Sequence, residues 1–209
     1  MSLYRLIGLL GACGAVYAQT HEFGVLGGGG FGTTASIAGA PSVAAGPSSG
    51  VAGGVLLGQD LYAHFSGEIR YLFEQTSLRV SSPSAEASLA GQSHVFSYDL
   101  IIHPRPRKGH AQPYLAVGGG MKLIRGTGSE QAYRPLMQYA YLTQGQQWRP
   151  MIAAGGGVKL PVGRRLTLRM EMQDQITPFP NKLIAPAPGF GTKGWLHDFV
   201  PAVGFSWQF

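Results

Sequence analysis

Bulky apolar residues alternate with small or polar ones along most of this chain, most cleanly at the carboxyl end. From Asp198 onward, Phe199, Pro201, Val203, Phe205, Trp207 and Phe209 share one face of a period-two strand. Asp198, Val200, Ala202, Gly204, Ser206 and Gln208 share the other. The same period places Ala63, Phe65, Gly67, Ile69, Tyr71 and Phe73 opposite His64, Ser66, Glu68, Arg70, Leu72 and Glu74. One face is aromatic and the other charged, so in a membrane the charged face must be the lumen.

Six further segments read as strands. They are His21 to Gly30, Gly50 to Leu57, His94 to His103, Gln112 to Arg125, Trp148 to Leu160 and Leu166 to Ile176. On these, Phe96, Leu115, Met121, Ile152, Met170 and Met172 are predicted to point out, and Asp99, Lys122, Lys159, Arg169 and Glu171 to point in. Tight turns are expected at Gly58-Gln59-Asp60, across Pro104 to His110 and at Pro161 to Arg165, where proline and glycine interrupt the ladder. Long loops are expected over Thr33 to Ser49, Ser82 to Gln92, Gly126 to Gln147 and Thr177 to Lys193. The chain is therefore all-β, with eight strands joined by alternating long loops and short turns, an up-and-down arrangement.

Composition agrees with one domain: 209 residues, rich in glycine (32) and with only 12% charged side chains. The glycine run Gly27 to Gly30 lacks the lysine and Ser/Thr of a phosphate loop, so strand glycines in a crowded lumen are the reading. The formal charge of +6 comes with no dense basic helix or nucleic-acid motif, and no nucleic-acid partner is expected. Residues 1–18 read as a secretory signal peptide, with Arg5, the apolar run Leu6 to Ala15 and Ala18 before the cut, leaving 19–209 as the barrel domain. Lipidation at Cys13, the single cysteine, is the alternative processing.

Two features carry a family resemblance. The chain stops on Phe209 after apolar residues at alternate positions, and Gly118-Gly119-Gly120 and Gly155-Gly156-Gly157 each precede a lysine by one residue. The chain resembles the small eight-stranded bacterial outer-membrane β-barrels. That implies an antiparallel transmembrane barrel in the bacterial outer membrane, in contact with outer-membrane lipid. It also implies that Val203, Phe205, Trp207 and Phe209 form an insertion signal read by the barrel-insertion machinery.

A barrel of eight strands is only wide enough for its own side chains. Glu68, Glu74, Asp99, Glu171 and Asp198 against Arg70, Lys122, Lys159 and Arg169 would form a lumen ion network that closes it, with His64 and His103 as further cations. A narrow conducting path is the alternative. Tyr62, Tyr71, Phe73, Tyr114, Trp148, Trp195, Phe199 and Phe209 suit interfacial girdles. The basic turns Arg105/Arg107/Lys108 and Arg164/Arg165 would face the periplasm. No catalytic, metal or cofactor site is expected, and the role is structural or surface-interacting, carried by mobile outer loops on a rigid scaffold. The loop with Tyr133, Tyr139 and Tyr141 is the first candidate, and its extracellular ligand is unknown. Two alternatives remain: a lipid-modifying hydrolase using His64, Ser66 and Glu68, and a soluble lipocalin-like barrel with apolar faces turned inward.

Overall fold

The computed structural model describes residues 20–104, 111–131, 133–192 and 194–209; the signal-peptide segment and the basic turn Arg105/Arg107/Lys108 lie outside them. Eight long strands close a barrel: β1 (His21–Gly32), β4 (Gly50–Tyr62), β5 (Phe65–Ser81), β6 (Glu86–Ile102), β7 (Gln112–Gly126), β9 (Gly145–Pro161), β10 (Leu166–Pro178) and β13 (Trp195–Gln208). Each pairs antiparallel with its neighbours, and β13 returns to β1, matching Val25 with Phe205 and Phe31 with Phe199. No edge is left on the long strands, as hydrocarbon requires.

The predicted faces hold on β5, β6, β7, β9, β10 and β13, with His64 and Tyr114 as the exceptions. Val25, Ile69, Leu115, Ile152, Met172 and Phe205 lie on the exposed exterior, while Glu68, Arg70, Asp99, Lys122 and Arg169 are buried inside. Apolar faces point outward, which removes the lipocalin-like alternative.

Strand length departs from expectation, for a physical reason. Along β5 the outward residues change from Phe65, Ile69, Tyr71 and Phe73 to Gln75, Ser77, Arg79 and Ser81, while the inward ones change from Glu68, Arg70 and Glu74 to Leu78 and Val80. Polarity inverts at one point of an unbroken strand, where lipid outside gives way to water. The inversion follows register across four strands. Phe73, His94, Leu123 and Trp148 are successive partners below it, and Gln75, Gln92, Arg125 and Gln146 are successive partners above it. Ser82 to Gln92 is consequently not a long loop. Only Ser82 to Ala85 forms the turn, closed by Ser82 N–H donating to Ala85 O at 2.8 Å, and β6 begins at Glu86.

The other outer segments are folded too. Thr33 to Ser49 contains β2 (Ala35–Ala38) and β3 (Ala40–Pro47), with β3 pairing onto β5. The third and fourth outer segments contribute β8 (Ala140–Leu142), β11 (Ile184–Pro186) and β12 (Gly191–Thr192); β8 pairs with β11, and β12 with β2. The turn expected at Gly58-Gln59-Asp60 falls instead at Ala63 and His64, because β4 runs on to Tyr62 through an irregularity after Asp60.

Candidate functional site: a closed lumen under a folded cap

The lumen is built from inward positions of all eight strands, and its charged groups form two clusters. In the lower one, Glu68 on β5 is the centre. Arg70 Nη2 donates to it at 2.7 Å, Arg169 from β10 at 2.8 and 2.9 Å, and Lys159 from β9 at 3.2 Å. Arg70 also reaches Glu171 at 2.5 Å and Asp99 at 3.0 Å. Glu22 of β1 completes the cluster, accepting from Lys159 at 2.6 Å and Arg169 at 3.2 Å. In the upper cluster, Lys122 lies 2.6 Å from Glu74 and 2.7 Å from Asp198, and donates to Gln175 at 2.9 Å. Ser93 donates to Glu74 at 2.8 Å. These multiple partners make the buried charges tolerable.

All nine residues expected in the network lie inside, and two more join them. Glu22 sits on the inward face with Leu26, a position that strict alternation could have identified. Tyr114, expected in a girdle, is buried in the lumen. Its hydroxyl donates to Glu171 at 2.5 Å, and the Arg169 guanidinium stands 5.3 Å from its ring centre. It shares the face of Ala116 and Lys122, so its parity outweighs its aromatic character. Six carboxylates (Glu22, Glu68, Glu74, Asp99, Glu171, Asp198) thus face four cations (Arg70, Lys122, Lys159, Arg169).

Two glycines make room for this network. A Cβ at Gly118 would stand 2.2 Å from Asp99 Oδ1, and one at Gly157 would stand 2.7 Å from the Tyr114 hydroxyl and 2.5 Å from Met170 O. The glycines therefore leave space for an acid and a tyrosine of the network, Asp99 and Tyr114.

Between the clusters lies an apolar layer. Leu72 separates Arg70 from Glu74 along β5, and it packs in one group with Leu26, Leu56, Val95 and Met151. Above the upper cluster, all four outer connections share a second apolar core. Ile37 and Val43 come from the first, Leu78 and Leu89 from the β5–β6 ribbon, Leu136 and Leu142 from the third, and Leu183 and Ile184 from the fourth. Arg134 ties the third connection to the ribbon by donating to the backbone oxygen of Ser88 at 3.1 Å, and within its own connection it donates to Ser129 O. The outer segments are a packed cap in place of the mobile loops expected from their composition. Tyr139 is held in it edge-on to Phe190, while Tyr133 and Tyr141 are exposed.

The hydrolase constellation is not assembled. Ser66 Oγ donates to Asp60 at 3.1 Å, His64 is exposed in the turn with Nδ1 2.9 Å from His103 O, and Glu68 is held by three cations. His64 therefore does not extend the lumen network; His103 is buried at its lower end. Arg164 and Arg165 are exposed at the lower turn. Val203, Phe205, Trp207 and Phe209 all face outward on the closing strand.

An apolar exterior around an ion-paired interior, in eight antiparallel strands with no long free edge, is the architecture of a small transmembrane β-barrel. Solved structures share the fold. The outer membrane protein OprG from Pseudomonas aeruginosa is similar at 15% identity and a TM-score of 0.59, over 90% of this chain and 95% of that one. Neisserial surface protein A is similar at 10% identity and a TM-score of 0.57, over 91% and 97%. No family model and no curated protein sequence matches the chain.

Proposed function

We propose that this chain is a noncatalytic integral protein of the bacterial outer membrane, with a sealed lumen and a preformed outer cap as its interaction surface. The observation that carries the reading is the shared apolar core of the four outer connections, directly above a lumen filled by ion pairs and an apolar layer. Loops that carry recognition work best when held in place, because less freedom is lost on binding. The spent hydrogen-bonding capacity of Ser66 and Glu68 favours a noncatalytic role over a hydrolase. The outward aromatics of β13 suit recognition by an insertion machinery, and the apolar wall suits outer-membrane lipid.

The test has two arms on the full-length protein. Reconstituted into planar bilayers, it should show no steady conductance; an open channel would sink the sealed lumen. In intact cells, external chymotrypsin should leave the cap uncut after Tyr139, whose ring packs on Phe190 and whose neighbour Ala140 is buried. Rapid cleavage there would show loops that are not preformed.

A further inference from the structure

Most of the lipid-facing wall is apolar, and one polar pair on it is built with care. Asp174 lies on the outer face of β10 between Met172 and Ile176, and His197 on that of β13 between Phe199 and Trp195. His197 Nδ1 stands 2.8 Å from Asp174 Oδ2, and the imidazole stacks on Phe199 at 16° and 6.2 Å. The β13 backbone is pinned at the same residue: His197 N–H donates to Thr33 Oγ1 at 2.9 Å, and Thr33 N–H donates back to His197 O at 2.7 Å. The ring is thus held by Asp174 and Phe199 on a main chain that Thr33 pins. Asp174 Oδ1 is sealed beneath with no hydrogen-bond partner among the described residues, and His197 Nε2 has none either.

A carboxylate on the lipid-facing wall is tolerable only when paired, and His197 is the one basic side chain it touches. The pair is neutral as a whole when the imidazole is protonated. Its Nδ1–H is then committed to Asp174, and Nε2–H is left at the half-exposed edge of the ring. That edge lies one outward position below Trp195, the last aromatic of the strand before the cap. At this depth the polar atoms outside the protein belong to lipid headgroups. We propose that the Asp174–His197 pair is a lipid-binding site, in which His197 Nε2–H donates to a phosphate oxygen of an outer-leaflet lipid.

The inference rests on the membrane reading above, and the experiment separates the two. Full-length protein is reconstituted in vesicles, floated, extracted in mild detergent and measured by native mass spectrometry. The probes are diphosphoryl lipid A, its dephosphorylated form with the same acyl chains, and phosphatidylglycerol. Wild type should retain diphosphoryl lipid A about fivefold over the dephosphorylated form, the scale of one charge-assisted hydrogen bond. Asp174→Asn, which removes the anionic partner of the ring, and His197→Phe, which keeps the stacking, should both fall to parity. Equal retention of phosphatidylglycerol would assign the phosphate to either lipid; weaker retention would assign it to the glycolipid. Parity in wild type, or a preference that survives both substitutions, overturns the site. So does a dimer that either substitution converts to monomer without changing lipid retention, since the pair would then face a second copy. Protein that does not float with vesicles fails the membrane reading itself.

Discussion

Arg169 and Glu68 meet as a two-pronged pair across the lumen, Nη1 to Oε1 at 2.8 Å and Nη2 to Oε2 at 2.9 Å, with neither side chain open to solvent. Two more cations, Arg70 and Lys159, share the same carboxylate. Removing Glu68 would leave three buried cations with fewer partners. Glu68→Ala should destabilise the barrel by about 3–5 kcal/mol, read as a lower urea midpoint in lipid vesicles. The double variant Glu68→Leu with Arg169→Met should lose less than the sum of the two single changes; strict additivity would mean that the pair is not coupled.

Membrane position is set by the polarity inversion on β5 and can be tested on its two sides. Met172→Arg, on the exposed apolar exterior, should cost about 2–4 kcal/mol if it lies near the bilayer midplane, as arginine does on the lipid face of barrels. Gln75→Arg, above the inversion, should change stability by less than about 0.5 kcal/mol. Equal effects on the urea midpoint would displace the boundary.

Glycine positions divide the same way. Gly118→Val places Cβ against Asp99 Oδ1 and Tyr98 O, at 2.2 and 2.3 Å, and should abolish the compact, heat-modifiable band on unboiled gels. Gly27→Ala meets nothing within 4 Å and should leave that band unchanged. A folded Gly118→Val barrel would show that Asp99 has room to move.

Much of this was legible from period-two alternation alone. Faces came out correctly because a lipid-facing strand cannot tolerate a one-residue slip without exposing charges such as Glu68 and Arg70. The misses have separate causes. Above Glu74 the rule that polar means inside reverses, so Leu78, Val80 and Leu89 no longer matched the membrane pattern and their segment read partly as loop. Tyr114 was misplaced by trusting residue type over parity. The cap itself was not legible, because its core joins Ile37, Leu89, Leu136 and Leu183 from four connections whose contacts no local pattern encodes.

That core supplies a further prediction. Leu183→Asp places a carboxylate among apolar side chains with no partner, at a cost of several kcal/mol or a local opening. The barrel below has its own hydrogen-bond ladder, so the expected outcome is selective. External chymotrypsin should now cleave after Tyr139, which packs on this core, in intact cells while heat-modifiability persists. Loss of both together would show that cap and barrel fold as one unit.

Every residue of β5 from Phe65 to Ser81 has a partner on β6, with no bulge anywhere along the pair. The ribbon is a continuous stiff beam from the lower turn to the outer tip at Ser82 to Ala85. A load applied at that tip meets no hinge before the Glu68–Asp99 rung, so whatever grips the cap also pulls, mechanically, on the floor of the lumen.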